Sequence, residues 1–460
     1  VVLALLAACS AAAPDPASAP TAKHQAGLTL AELSPPDAPD LAPATGVVRY
    51  ELEAAPIDAP GDYRYAYNGV VPGPTLRAQV GDTVEVLLRN RLAGDTSIHW
   101  HGVDVPFEMD GAPNSGPAVQ PGQDRLYRFV VQQAGTFWYH PHFDTQRQVD
   151  LGLFGAFVVT PKGDPTVGHD AVLVFDAPLE HFEAAAGTAA GAHGGDGVLH
   201  DCHSALRPIT EWWVNGRAQP TIQHPAGTRL RARLINASNC GYLALSGPDL
   251  RHIASDQGLL SAPTQGVDPA FPLVLGPGDR ADIEWRVGPA PIALDTALHT
   301  PAGHVPNAPR IPLLRIEAQG AAAAPPPWEL PYTRALPTPD SGRTDVVYAL
   351  SGSGQHWFIN AQKWPDVPTE TLVRGAPAII EVRNVSPAHH PFHTHGMPFE
   401  VLSVDGVVPQ WRRIEDTLDL GVHSVARLRV VPPNAGEWMV HCHILPHADQ
   451  GMMAILSVVE

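Results

Sequence analysis

Gly81-Asp82-Thr83-Val84-Glu85-Val86-Leu87-Leu88-Arg89-Asn90 alternates apolar and polar side chains, the two-residue period of a strand with one face buried. The layout returns in Gly227-Thr228-Arg229-Leu230-Arg231-Ala232-Arg233-Leu234-Ile235-Asn236 and in Gly375-Ala376-Pro377-Ala378-Ile379-Ile380-Glu381-Val382-Arg383-Asn384. Each copy runs nine residues from Gly to Asn, and the copies begin 146 and 148 residues apart. A chance strand would not keep both spacings, so the chain reads as three copies of one unit. Two further fragments recur in register. Pro121-Gly122-Gln123-Asp124-Arg125 matches Pro277-Gly278-Asp279-Arg280, each a turn leading into a strand. Gly135-Thr136-Phe137-Trp138-Tyr139-His140-Pro141-His142 matches Gly436-Glu437-Trp438-Met439-Val440-His441-Cys442-His443.

The rest of the composition agrees with such a repeat. Among 460 residues there are 49 prolines and 41 glycines, with only 17% charged, which suits many short strands and tight turns. No long helical period interrupts the pattern. The expected architecture is all-β: three Greek-key β-sandwich domains at 46–162, 168–320 and 341–460, joined through a linker at 321–340. Ahead of them, 10–45 is rich in Ala, Pro, Ser and Asp and reads as a flexible tether. Residues 1–9 read as the truncated end of an export signal. Leu6-Ala7-Ala8-Cys9 resembles a bacterial lipobox, which makes Cys9 a candidate lipid anchor; an ordinary cleaved signal is the alternative. Either way the expectation is export, to the periplasm or the cell envelope. Cys202 and Cys240 are left as candidates for a disulfide. A net charge of −18 argues against nucleic acid as a partner.

Four His-X-His pairs stand out: His99-Trp100-His101, His140-Pro141-His142, His393-Thr394-His395 and His441-Cys442-His443. On a strand, residues two apart project from one face, so each pair aims two imidazoles at one place. Two pairs fall in the first copy, two in the third and none in the second. Metal chemistry is therefore expected in the outer copies, and the middle copy reads as a spacer. Cys442 must point away from the face its neighbours share, toward a second metal site back to back with the first. His390 lies three residues before His393, His447 five after Cys442 and Met452 ten after it. A thiolate, two imidazoles and a distant thioether form the ligand set of a blue-copper electron-transfer centre. Zinc has no use for a weak axial Met, and iron–sulfur clusters need more cysteines.

The motifs H-W-H-G, W-Y-H-P-H, H-P-F-H-T-H-G and H-C-H-I-L-P-H-x4-M resemble the four copper signatures of multicopper oxidases. The likeness spans Val47 to Glu460 and points to the three-domain branch of bacterial laccases and periplasmic cuprous oxidases. Val214-Asn215-Gly216 and Ser255-Asp256-Gln257-Gly258 are similar to its middle domain. The resemblance implies cupredoxin-like domains and four copper ions. A type 1 copper would be held by His390, Cys442 and His447 with Met452 axial, adjacent Met453 fitting the spacing less well. The type 2 copper would take His99 and His393. A type 3 pair would take His101, His140, His142, His395, His441 and His443. It implies that a small reducing substrate delivers electrons near His447, that Cys442 passes them to His441 and His443, and that dioxygen is reduced to water. Asp110 occupies the place of a family carboxylate near the cluster, as proton donor or supporting residue; a turn-forming Asp-Gly is the alternative. His389, beside His390, reads as structural or solvent-exposed.

The sequence departs from the cuprous oxidases at two points. They often carry an acid directly after the last type 1 histidine, where this chain has Ala448 and then Asp449. They also tend to carry a Met-rich insertion, whereas the five methionines here form no tract. A His-containing stretch from His181 to His203 reads as a surface loop, with Cu(II) or Zn(II) binding as the alternative. The expected substrates are phenols or aromatic amines, with Cu(I) or Fe(II) as the alternative. A non-catalytic copper-binding protein is disfavoured by the complete ligand set.

Overall fold

The computed structural model describes residues 27–43, 46–58, 63–166, 170–177, 209, 211–247, 250–264, 272–288, 290–297, 299–300, 303–304, 310–320, 329–354, 356–367 and 369–460. Strands dominate; the helices among these residues are single turns or little more, Thr145–Asp150 and Leu445–Asp449 being the two near the site. None is long and apolar enough to cross a membrane.

The three Gly-to-Asn repeats occupy equivalent places in three sheets. Thr83–Asn90 lies parallel to Val47–Pro56 and antiparallel to Asp124–Val130. Arg229–Asn236 lies parallel to Asp170–Asp176 and antiparallel to Arg280–Arg286. Ala378–Asn384 lies parallel to Val346–Ser353 and antiparallel to Val425–Val430. Each sheet faces a second one across an apolar layer. Parallel pairing of near-sequential strands requires a crossover to the opposite sheet, which is Greek-key sandwich topology. The all-β, cupredoxin-like fold expected from the sequence is the one observed.

The terminal Asn of each repeat explains why that residue recurs. All three are buried. Asn90 Nδ2 donates to the Gly94 and Val119 carbonyls, Asn236 to Gly241 and Leu275, Asn384 to Ala388, Leu420 and Gly421. One side chain thereby satisfies the backbone where the chain leaves one sheet for the other.

Two expectations are corrected. The strand Arg229–Asn236 is not half-buried like its first counterpart but buried along nearly its whole length. Its polar face is covered by the first domain, and Arg231 and Arg233 pair there with Asp282, Asp164 and Asp170. Nor is the stretch 10–45 wholly a tether. From Leu28 onward it is bound to the body: Leu28 bridges to Ile222, Asp37 bridges to Thr75, and Leu33 is buried in the middle domain's core. Thr29 and Glu32 form a capping box around the turn Leu30–Leu33. Residues 10–26 and 44–45 of that stretch, Cys9, Cys202, His181–His203 and the linker residues 321–328 lie outside the described residues.

Candidate metal centre

The histidine pairs sit on adjacent antiparallel strands. In the first domain His99–His101 pairs with Gly135–His140, placing His99 opposite His140. In the third, His390–Thr394 pairs with Gly436–Cys442, placing His393 opposite His441 and Phe392 opposite Cys442. The two domains present these ladders to each other. His101 and His393 stack with ring centroids 3.8 Å apart, and His99 and His395 with centroids 3.9 Å apart. His142 lies 5.4 Å from His441, and His101 lies 4.8 Å from His443, again between centroids. All eight expected cluster histidines therefore meet in one buried space between the first and third domains.

Hydrogen bonds settle which nitrogen six of the eight offer. Nδ1 of His99 lies 2.9 Å from the Asp110 carbonyl, and Nδ1 of His395 lies 2.9 Å from Asp110 Oδ2. His140 and His441 donate from Nδ1 to the carbonyls of Pro141 and Cys442 at 2.9 Å, and His393 donates to that of Asp416 at 2.9 Å. Carbonyl and carboxylate oxygens only accept, so each of these Nδ1 atoms carries the proton and its Nε2 is a bare lone pair. His101 is the reverse. Its Nε2 lies 3.0 Å from Thr417 Oγ1 and 3.2 Å from Asp416 Oδ1, which leaves Nδ1 as the inward atom. Among the cluster rings, the buried nitrogens left without a hydrogen-bond partner are Nε2 of His99, His140 and His393, Nδ1 of His101 and both of His443.

This donor set fits metal ions. Nε2 of His395 and Nε2 of His441 face each other 3.0 Å apart, two lone pairs that only a shared cation reconciles. Burial, with neighbouring imidazoles, holds His101, His140, His395, His441 and His443 well below the usual imidazole range. His142 is pushed down to about 3 by the same burial. The rings are therefore neutral, the form that binds metal. Borderline-soft imidazoles in this number suit copper.

Cys442 points to the opposite side of its strand. Its Sγ lies 3.4 Å from Nδ1 of His390 and 3.4 Å from Nδ1 of His447, and those two nitrogens are 3.2 Å apart. The point equidistant from the three is about 1.9 Å from each, close to the roughly 2.0–2.3 Å at which such ions hold imidazole and thiolate. Burial pushes the Cys442 thiol up, so a cation is needed to keep it a thiolate. Met452 is buried in the same core, its carbonyl accepting from Cys442 N at 3.2 Å. Met453 turns to a separate cluster with Ala112, Met439 and Ile455. Trp357 stacks on His447, centroids 4.2 Å apart and 20° from parallel, and both are buried. His390 Nε2 lies 2.7 Å from Ser386 Oγ, which in turn reaches Asn384 Oδ1 at 2.8 Å. His389 is half-buried and stands outside this set, 2.7 Å from Asp419 Oδ2.

Two carboxylates stand behind the cluster. Asp110, from the first domain, spans His99 and His395 at 3.3 and 2.9 Å. Burial opposes its ionisation, but His395 and His99 outweigh burial and hold it well below the usual carboxylate range. Asp416, from the third, spans His101 and His393 at 3.2 and 3.4 Å. There too burial is outweighed, chiefly by Arg280. Asp416, Thr417, Ser386 and Arg280 were not legible as site residues: an acid, two hydroxyls and a base carry no motif. Ala448 is buried and Asp449 exposed. Cys240 is disulfide-bonded, while Cys442 keeps a free thiol.

Two family models, both described as multicopper oxidase, match residues 52–164 and 338–460. A multicopper oxidase of Staphylococcus aureus is 30% identical over 421 residues, 86% of this chain and 83% of that protein. A laccase of Trametes maxima is 26% identical over 460 residues, 84% and 88%. Among solved structures, a Campylobacter jejuni multicopper oxidase described as a metallo-oxidase superposes with a TM-score of 0.76 at 25% identity, covering 93% of this chain and 94% of that one.

Proposed function

The chain belongs to the multicopper oxidase family, copper oxidoreductases that use dioxygen and a reducing substrate, and from that premise we propose that its donors are phenols and aromatic amines. Four copper ions are assigned: one to His390, Cys442, His447 and Met452, three to the eight clustered histidines. Copper at these positions supplies one-electron oxidation of the donor and four-electron reduction of dioxygen to water. The polypeptide supplies the rest. Cys442 is covalently continuous with His441 and His443, so one tripeptide belongs to both centres. Asp110, at His99 and His395, and Asp416, at His101 and His393, hold the outward ring N–H groups of four cluster imidazoles and so aim their lone pairs inward. Complete burial of these side chains keeps bulk water from the reacting oxygen.

The observation that carries the choice of donor is the placing of the five methionines: Met397, Met439 and Met452 are buried and Met109 and Met453 half-buried, so they offer no exposed thioether cluster to capture a soft Cu(I) ion. A second reading, oxidation of a metal ion, is favoured by the likeness to the Campylobacter metallo-oxidase. Oxygen uptake by the copper-loaded protein, measured with a phenol and separately with Cu(I), separates the two. Uptake with the phenol supports the first reading and uptake with Cu(I) alone the second. Uptake with neither sinks both. We also place the protein outside the cytoplasm, a reading supported by the disulfide-bonded Cys240 and the lipobox-like Leu6-Ala7-Ala8-Cys9.

A further inference from the structure

The turn Pro277-Gly278-Asp279-Arg280 belongs to the copy without histidine pairs, yet it reaches the cluster. Gly278 has φ +86°, and a Cβ there would lie 2.7 Å from Cγ of His443. Two residues on, Arg280 is fully buried. Its Nη1 donates to Asp416 Oδ1 at 2.7 Å and its Nη2 to the second carboxylate oxygen, a two-pronged clamp. The same guanidinium donates from Nε to the Thr136 carbonyl at 3.1 Å, tying in the first domain. Gln257, also of the middle domain, donates to Asp416 Oδ2 at 2.5 Å and to the Gly102 carbonyl at 2.8 Å. Gly102 directly follows His101, and a Cβ on it would overlap both Arg280 Nη2 and Asp416 Oδ2. Three domains thus converge on one carboxylate.

That carboxylate touches His393 and His101, and His101 is the one cluster histidine seen to present Nδ1 inward. His101 turns its Nε2 to Asp416 and Thr417, whereas His99, His140 and His393 keep Nδ1 engaged and Nε2 inward. The orientation of His101 therefore depends on where Asp416 is held, and Arg280 holds it. We propose that Arg280 is a positioning residue for the trinuclear cluster: through Asp416 it directs Nδ1 of His101 inward, so that the domain lacking metal ligands decides whether the cluster assembles. The proposal rests on the assignment of three copper ions to that space.

Arg280→Lys retains the charge but cannot grip both oxygens. In the copper-loaded full-length variant, the visible band of the type 1 centre is expected to stay at wild-type intensity per chain. Copper bound per chain falls, the type 2 signal in electron paramagnetic resonance changes its hyperfine splitting, and reoxidation by dioxygen slows roughly 10–100-fold, the range seen when a group behind a metal-bound histidine is lost. Asp416→Asn gives the same pattern, and the double variant retains no less copper than Asp416→Asn alone, because Arg280 acts through that residue. Ser261→Ala removes a 3.0 Å bond to the Arg412 carbonyl across the same domain boundary and leaves the copper content unchanged. The proposal is overturned if Arg280→Lys keeps wild-type copper content and type 2 spectrum. It is equally overturned if both centres are lost in proportion, or if Ser261→Ala loses copper as Arg280→Lys does. Wild-type protein holding a single copper per chain would overturn the cluster assignment itself, a result read without any variant.

Discussion

Replacing Ser386 by Ala tests the type 1 centre through a single hydroxyl. Coordination through Nδ1 forces the proton of His390 onto Nε2, which donates to Ser386 Oγ at 2.7 Å. The hydroxyl passes its own hydrogen to Asn384 Oδ1 at 2.8 Å and accepts from Ala388 N at 3.2 Å. Ser386→Ala removes that acceptor from two buried donors, each worth about 1–3 kcal/mol. The cost falls unequally on the two states. Without copper, His390 can shift its proton to Nδ1; with copper it cannot. The imidazole share therefore appears as lost affinity, and the Ala388 share as lost stability. The middle domain supplies the control for the second share. Ser238 Oγ reaches Asn236 Oδ1 at 2.6 Å and accepts from Gly241 N at 3.1 Å, the same device with no histidine attached. Ser238→Ala should lower the melting temperature and leave copper binding alone. Ser386→Ala should do both, weakening type 1 copper by roughly 5–150-fold at about 1.4 kcal/mol per factor of ten. Competition against a chelator, followed by the blue band, reads the affinity directly. A loss under about twofold, below even the smallest cost of an orphaned donor, would refute the account of Ser386.

Other consequences are checked as simply. In Asp110→Asn one histidine of the His99–His395 pair meets an amide N–H instead of an acceptor, so reoxidation by dioxygen should slow more than anaerobic reduction of the type 1 centre in stopped flow; equal slowing counts against the role. Burial raises the Asp176 carboxyl to about 7, against about 3.9 in an unfolded chain, so the folded protein binds this proton more tightly. Stability from this group is then full below about pH 4 and lost as pH rises through about 7. Asp176→Asn should flatten that fall in urea unfolding between pH 5 and 8, and an unchanged slope would show Asp176 is not its source. Stripping copper with a chelator should lower the melting temperature while the β-sheet circular dichroism persists below the transition, because ligand lone pairs such as the His395–His441 pair lose their shared cation. A melting temperature indifferent to copper would mean the histidines are satisfied without it.

How much of this was legible in the sequence depended on whether a residue's role is set by its neighbours in the chain. His441-Cys442-His443 is such a case: alternation on a strand separates the thiolate from the imidazoles, and the structure puts Sγ in one site and both rings in the other. The three repeats likewise carried the sandwich count, because the Gly-to-Asn strand takes the same pairing in each sheet. Arg280 and Asp416 were silent for the opposite reason. They stand 136 residues apart, and their meaning comes from a contact between domains that no local period encodes. Reading the middle copy as a spacer followed from counting ligands alone, and it missed the groups that hold ligands in place. Burial of Arg231 and Arg233 was hidden in the same way: their alternation says one face is polar, but not that another domain lies over it.

The shared frame also explains why one copy carries a thiolate site and its relative does not. Six residues after the terminal Asn of the repeat comes His390 in the third domain, Tyr242 in the second and Thr96 in the first. Cys442, between two cluster histidines, corresponds to Pro141. Counting on from there, His447 corresponds to Gln146 and Met452 to Leu151, and the turns Thr145–Asp150 and Leu445–Asp449 occupy matching places. The first domain fills that space with a Thr96–Gln148 hydrogen bond of 2.7 Å rather than with ligands. The backbone is therefore not what selects copper, since both domains build the same cross-strand pairs, His99 with His140 and His393 with His441. Four side chains at fixed register positions make the difference, and Pro141 is the most restrictive of them, having neither a thiol nor an N–H to give. On the proposed assignment the asymmetry has a functional sense: with copper at His390, Cys442 and His447, electrons would have a single covalent route in, through Cys442, and the first domain's side is left to the Thr96–Gln148 pair and the carboxylate of Asp110.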